Sequence, residues 1–298
     1  MKELKAVSYG EILWDVFPDQ KSLGGAPLNI ALRLTTLGVK TRIISRLGTD
    51  ALAEETREIL DKTDLILTNI QEDDTLETGQ VMVTLDEKGS ASYEISQPVA
   101  WDAIEITEAN QEAVGKADIF IFGSLVARNE GSRTTLKELL PQSHFAVFDI
   151  NLRAPHYNLD TVVHFMKQAQ FIKMNDEELE KIVEHLHITA RNMEDQIKQI
   201  CDLTGAGTLC ITCGENGAVL YINGKLHTHP GFSTKLVDTV GAGDSFLAGL
   251  LAQLYKEEAT PGKALEFACA LGAMVAGKKG ANAKIAVQEI HEKIASEP

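Results

Sequence analysis

An α/β fold, with a central and mostly parallel sheet covered by helices on both faces, is predicted by three features of the sequence. Strand-like and helix-like segments alternate through most of the 298 residues. Several strand candidates, Ile119-Phe-Ile-Phe122 foremost, are almost wholly apolar, as a doubly covered sheet demands. Two stretches, approximately 12–25 and 79–97, break the rhythm and predict a small β sheet projecting near the ligand face. No Gly/Pro-rich linker divides the chain, so 1–298 reads as a single domain with those segments inserted.

The elements follow in order. Lys5–Tyr9 is a short strand closed by Gly10, and Ile12–Phe17 is extended up to Pro18. Pro27 opens an apolar-periodic helix that Gly38 closes, the usual punctuation at helix ends. Val39–Ser45 reads as strand and Ala51–Leu60 as a helix with Asp50 as N-cap. Gly79–Asp86 and Ala91–Ser96 read as a hairpin joined by Glu87-Lys-Gly-Ser90. Helix–strand pairs then recur: Glu108–Val114 with Ile119–Phe122, Arg133–Leu140 with Phe145–Asp149, and Val162–Ala169 with Phe171–Met174. Helices at Glu177–His185 and Met193–Cys201 precede the strand Thr208–Cys213. Asp244–Leu254, Pro261–Ala276 and Val287–Ala295 complete the chain as helices.

Composition narrows the function. With 44% hydrophobic and 24% charged residues the chain reads as soluble and globular. A net charge of −15 disfavours nucleic acid and anionic membrane as main partners. An anionic substrate must therefore meet a local positive site. Four cysteines make no disulfide framework at this length, and the Cys210/Cys213 pair reads as core packing of a buried strand. The start of the chain lacks the apolar stretch of a signal peptide, and no apolar run is long enough to span a membrane. A cytoplasmic location is expected.

Chemistry concentrates in Asp238-Thr-Val-Gly-Ala-Gly-Asp244. Gly241, Ala242 and Gly243 directly precede an amphipathic helix, whose first amides lack intrahelical acceptors and collect on an anion. Asp244 admits two readings: an N-cap, or a base that takes the proton of an attacking hydroxyl beside that anion site. Other polar residues fall at strand ends, where such sheets bind ligands. They are Asp149, Asn151 and Arg153; Asn175 and Glu178, within reach of a hydrated Mg²⁺; and Thr212 with Gly214. Near the start, Glu11 and Asp15 flank Trp14, and Gly24-Gly25 with Asn29 open a helix. A P-loop motif and a dinucleotide fingerprint are both missing, and His185/His187 read as surface.

Gly24-Gly-Ala-Pro-Leu-Asn29 and Asp238-Thr-Val-Gly-Ala-Gly-Asp244 resemble the two signatures of the ribokinase-like (PfkB) carbohydrate kinases, with the intervening motifs in the family's order across essentially the whole chain. Gly10-Glu-Ile-Leu-Trp-Asp-Val-Phe-Pro18 resembles fructokinases most. The resemblance implies a three-layer α/β/α domain with a β lid, ATP and Mg²⁺ as cofactors and a sugar as substrate. Asp244 would be the base, Gly241, Ala242 and Gly243 the anion hole, and Arg153 a neighbour of the transferred phosphoryl. Glu11, Asp15, Gly24, Gly25 and Asn29 would hold the sugar. Asn175 and Glu178 would organise magnesium through water. Asn175, Thr212, Gly214, Gly217, Gly241, Gly243, Gly280 and Ala281 would meet the nucleotide. Asp238 and Thr239 are candidates for a K⁺ site, and an exposed lid-strand edge is compatible with a homodimer.

The expected reaction is phosphorylation of D-fructose at O6. Ribose is disfavoured, because the first signature lacks ribokinase's lysine and Gly123-Ser-Leu125 replaces its strand-end glutamate. Kinases for ribose, 2-keto-3-deoxygluconate or a nucleoside are the alternatives, and a non-catalytic sugar- or nucleotide-binding regulator is the alternative of another class.

Overall fold

A computed structural model describes residues 3–85, 91–256 and 260–297; the turn expected at Glu87–Ser90 lies outside them. The first third comprises β1 (Lys5–Tyr9), β2 (Leu13–Val16), β3 (Lys21–Gly24), α1 (Ala26–Thr36), β4 (Lys40–Leu47), α2 (Ala51–Leu60), β5 (Ile70–Glu72), β6 (Gly79–Leu85) and β7 (Ala91–Ile95). Next come α3 (Glu108–Gly115), β8 (Ile119–Gly123), α4 (Glu130–Leu139), β9 (Ala146–Asp149), α5 (Leu159–Met166), β10 (Phe171–Asn175) and α6 (Asp176–His185). The chain continues through α7 (Met193–Thr204), β11 (Thr208–Thr212), β12 (Ala218–Ile222), β13 (Lys225–His229), α8 (Ala242–Leu254), α9 (Pro261–Ala276) and α10 (Val287–Ser296).

The main sheet has the order β13-β12-β11-β10-β9-β8-β1-β4-β5 and is parallel from β11 to β5. Its strands are apolar toward both faces because each face is covered. Phe122, Phe148, Phe165 and Ile182 pack one side with α4 to α7. Leu34, Phe246, Leu250 and Leu271 pack the other with α1, α8 and α9. The expected α/β/α layering is the observed one.

Two features exceed the sequence reading. The sheet gains an antiparallel β12–β13 hairpin, whose Asn223-Gly224 turn has positive φ at both positions, 53° and 73°. The extended stretch before Pro18 is itself a hairpin, β2 paired antiparallel with β3. Together with β6 and β7 these strands form a separate four-stranded sheet, β3-β2-β6-β7. The two rhythm-breaking segments therefore meet in one element. Asp50 ties that element to the main body: it caps α2 through the Ala53 amide (2.9 Å) and also accepts from the Thr78 amide (2.7 Å), just before β6.

Candidate active site

Strand register explains why distant residues converge. Asp149, Asn175 and Thr212 end β9, β10 and β11, with Lys173 opposite Asp149 and Asn175 opposite Thr212. Parallel strands bring such termini to one edge, beside the loops that follow. At the neighbouring strand β1, Gly10 turns the chain toward Glu11 with φ 145°, and a Cβ there would lie 2.7 Å from the Pro27 ring. Gly25 (φ 107°) is equally constrained, since its Cβ would fall 2.4 Å from the Glu11 carbonyl oxygen.

The start of α8 rules out one of the two readings of Asp244, the N-cap. Gly241, in the left-handed region at φ 76°, is the N-cap residue, and no side chain caps the helix. Gly241 also lies so close to Ala281 that a Cβ would come within 2.4 Å of the alanine methyl. Asp244 stands three residues inside the helix. Its Oδ2 accepts from Asn29 Nδ2 at 2.8 Å, and Asn29 Oδ1 accepts in turn from Asn282 Nδ2 at 3.0 Å. The aspartate is thus an oriented carboxylate rather than a cap. Among the amides of the expected anion hole, that of Ala242 is engaged in a turn to the Thr239 carbonyl at 3.2 Å.

The electrostatics around Asp244 are unusual. Burial, reinforced by the charge of Asp149, pushes its pKa up to about 6, against the opposing effects of Asn29, Lys173 and Arg153. Glu11 is 2% exposed and its Oε2 has no hydrogen-bond partner among the described residues. Burial, with a further contribution from Asp244, lifts Glu11 to about 8. Asp15 is also raised, by burial first; Arg153 opposes this and Asp238 adds to it. A Cβ on Gly24 would stand 3.2 Å from Asp15 Oδ2. Arg153 is exposed, yet its charge acts on Glu11, Asp15 and Asp244 alike.

Lys173 is the residue the sequence reading missed. Its Nζ is buried, donates to Asp149 Oδ1 at 2.9 Å, and lies 3.3 Å from where a Cβ on Gly243 would be. Burial opposes its charge, but Asp149 and Glu178 outweigh that and hold its pKa above the usual lysine value. An ammonium group therefore joins the helix start as the local positive site of an acidic chain. One lysine inside the apolar run Phe171-Ile-Lys-Met174 was the available signal. Arg33 and Asn282 were missed as well. Arg33, 4% exposed, links α1 to α8 through Ser245 Oγ (3.0 Å) and to the Ala283 carbonyl (2.9 Å).

The remaining candidates occupy the same edge with mixed duties. Asn175 and Glu178 form a capping box on α6: Asn175 Oδ1 accepts from the Glu178 amide, and Glu178 Oε2 from the Asn175 amide. Glu178 Oε1 accepts from the Leu152 amide at 2.7 Å. Burial raises the Glu178 pKa despite Lys173 nearby. Asp238 bridges two loops, accepting from the Val240 amide (3.0 Å) and the Gly280 amide (2.9 Å), and the carbonyl of Thr239 serves the Ala242 amide. Thr212 Oγ1 is 3.5 Å from the Met174 carbonyl, and Gly214 follows with φ 55°. Gly217 has a structural reason to be glycine, since its Cβ would lie 2.0 Å from the His229 carbonyl. Among the described residues no cluster of three His, Cys, Asp or Glu side chains is placed to hold a metal. Asp149 Oδ2, buried and without a hydrogen-bond partner among the described residues, and the amide and carboxylate of Asn175 and Glu178 fit the outer shell of a hydrated cation better than a protein-only centre. Cys210 and Cys213 are free thiols, and burial pushes Cys210 far above the reactive range.

Comparison with known proteins agrees with the fold. Probable fructokinase-5 of Arabidopsis thaliana is 29% identical over 307 residues, covering 92% of each chain. A putative sugar kinase of Pyrococcus horikoshii is 30% identical over 264 residues, covering 85% of this chain and 80% of its own. Its crystal structure superposes with a TM-score of 0.83 over 98% of this chain and 99% of that one, at 27% identity. A fructokinase of Xylella fastidiosa, solved with bound ATP, shares the fold at TM-score 0.88 and 21% identity, covering 98% of both chains. The family model described as "pfkB family carbohydrate kinase" matches residues 1–287, and the chain belongs to that family.

Proposed function

We propose that this carbohydrate kinase transfers the γ-phosphoryl group of ATP to O6 of D-fructose. The observation that carries the reading is Asp244: a carboxylate at the first turn of α8, free of capping duty and oriented by Asn29. A pKa of about 6 leaves it ionised at neutral pH yet basic enough to accept a proton.

In this mechanism Asp244 takes the proton of the sugar hydroxyl as its oxygen attacks the γ-phosphorus. The new O–P bond forms while the bond to the β-bridging oxygen breaks, and ADP leaves with that electron pair. Charge growing on the phosphoryl oxygens meets the amides of Gly241 and Gly243, the Lys173 ammonium and Arg153, which swings in from an exposed position. Glu11, Asp15, Gly24, Gly25 and Asn29 form the sugar side. Glu11, protonated at neutral pH, has a spare oxygen for a sugar hydroxyl. Thr212, Gly214, Gly217, Asn175, Gly280 and Ala281 form the nucleotide side.

Magnesium bound with ATP would neutralise phosphate charge, and Asn175, Glu178 and Asp149 are the residues suited to its waters. Asp238 and Thr239 are the candidates for a potassium site next to the anion hole. The small sheet β3-β2-β6-β7 acts as a lid that excludes water, and its edge strands β3 and β7 offer a surface for homodimerisation.

Fructose is favoured by the fructokinase relatives and by Ser124, not a carboxylate, at the end of β8. A coupled assay of ADP release over fructose, ribose, 2-keto-3-deoxygluconate and nucleosides, with and without potassium, tests this. The highest kcat/KM is expected for fructose, with ATP hydrolysis low when sugar is omitted. Preference for another acceptor would reassign the substrate, and ligand binding without turnover with any acceptor would reject the kinase mechanism.

A further inference from the structure

On the α4–α5 side of the main sheet, away from the α1–α8 side that carries Asp244, a cavity of about 270 Å³ opens between the loop after β8 and the start of α5. Of the residues named above for sugar or nucleotide, Ser124 alone lines it. Its polar wall includes Arg128, Arg133, His156, Ser124 and Asn158, and no carboxylate is among the lining residues. Phe148, Val162 and Phe165 supply an apolar floor.

Arg128 makes this more than a basic patch. Its side chain is 3% exposed, stacked with Cζ 4.0 Å from the centre of the Trp101 ring. Nε and Nη2 bind the two oxygens of Asp102 at 2.8 and 2.7 Å, and Nη2 also donates to the Ser96 carbonyl. Nη1 is buried with no hydrogen-bond partner among the described residues. Buried donors in native proteins are seldom left unmatched, because each costs about 1–3 kcal/mol. Arg133, for its part, has no carboxylate partner among the described residues; its one hydrogen bond runs from Nη1 to the Ala127 carbonyl at 3.2 Å. Arg128, with one unmatched nitrogen, and Arg133, with no carboxylate partner among the described residues, thus line one cavity in a chain of net charge −15.

We infer that this cavity binds a small tetrahedral oxyanion, as free phosphate or as the phosphoryl end of a small phosphorylated metabolite. Donors approach from the β8 loop, α4 and the start of α5, and several directions of approach suit the three free oxygens of a phosphoryl group better than a planar carboxylate. The apolar floor accommodates the carbon part of a phosphomonoester. The inference does not rest on the proposed reaction, and Ser124 is the lining residue this cavity shares with the sugar side.

Isothermal titration with inorganic phosphate and with glycerol phosphate, in phosphate-free buffer at fixed ionic strength, tests the inference on the wild type and three variants. Saturable binding is expected in wild type. It should weaken by about ten-fold or more in Arg133→Gln, be partly retained in Arg133→Lys, and be unchanged in Asp244→Asn. Heat from phosphate alone would identify the free anion as ligand; heat from both probes would identify the phosphomonoester class. Binding at the start of α8 would instead strengthen in Asp244→Asn and ignore Arg133. That result, or the absence of saturable heat with either probe, would overturn the inference. Arg133→Lys with the wild-type circular dichroism spectrum guards against misfolding as the cause of lost binding.

Discussion

The helices α6 and α8 begin at the same sheet edge, and each carries an acidic residue three positions after its N-cap, Glu178 and Asp244. Glu178 turns back and accepts from the Asn175 and Leu152 amides, so its helix start is closed on itself. Asp244 turns outward to Asn29, and its helix begins with a left-handed glycine and no side-chain cap. Sequence position alone makes these residues equivalent. They differ in their partners: the Glu178 carboxylate accepts from two backbone amides, whereas that of Asp244 accepts from the Asn29 side chain, and only α6 has a side chain at its N-cap that accepts from its own amide. A glycine N-cap forgoes only a few tenths of a kcal/mol relative to a side-chain cap and leaves the first amides of the helix without a side-chain acceptor. The contrast therefore separates a carboxylate that caps its helix from one that does not, the one proposed above as the base.

The largest effect is expected at Asp244. Asp244→Asn preserves the hydrogen-bonding shape but removes the base, and kcat should fall by about 10²–10⁴ with a much smaller change in sugar affinity. Steady-state kinetics alongside equilibrium sugar binding measure both. Near-wild-type kcat would erase the distinction between the two helix starts. Next comes Lys173→Met, which strips the ammonium from beneath Gly243 and leaves Asp149 buried without its partner. Removing one member of a buried pair costs about 3–5 kcal/mol, visible as a lower denaturation midpoint. Because Lys173 also holds the Asp244 pKa down, the acid limb of kcat/KM should move to higher pH in this variant. A lower midpoint with an unmoved limb would reduce Lys173 to a structural residue.

What the sequence made legible follows the same division. Helix starts, apolar strands and the Gly-Ala-Gly turn are local signals, so the α/β layering and the position of Asp244 could be read directly. Asn223-Gly224 is also a local hairpin signal, though the alternation of strands and helices drew attention away from it. The choice between cap and base was not local. It depends on Asn29, 215 residues earlier, reaching Asp244 across the packing of α1 on α8. Lys173 and Asp149 are likewise paired by strand register, which no spacing along the chain encodes. Nor does spacing reveal the Arg128 cavity, since it forms only where the loop after β8 meets the start of α5.

Glu178→Gln sharpens the contrast from the other side. The amide retains one accepting oxygen but forfeits the charge, so a stability loss of about 1–2 kcal/mol is expected in chemical denaturation. With Asn175 it is also a candidate for the magnesium waters, and the variant should need more magnesium for half-maximal rate. A stability loss with an unchanged magnesium requirement would confine Glu178 to capping.

The last prediction concerns pH, and it reads out the burial of carboxylates at the Asp244 side. Glu11 and Asp244 are raised to about 8 and about 6 in the folded chain, from unfolded values of 4.5 and 3.8. Across that interval the folded state binds more protons than the unfolded one, so these two groups weaken the fold as pH rises from about 4 to about 8. For one group the slope is at most about 1.4 kcal/mol per pH unit. Glu11→Gln removes the larger shift without removing the side-chain volume. Its melting temperature should exceed that of wild type at pH 8, and the excess should shrink steadily as the pH is lowered toward 4. Thermal melts across that range measure the difference directly. An excess independent of pH would mean that Glu11 is ionised in the folded protein, and its spare oxygen would then only accept from a sugar hydroxyl, never donate to one.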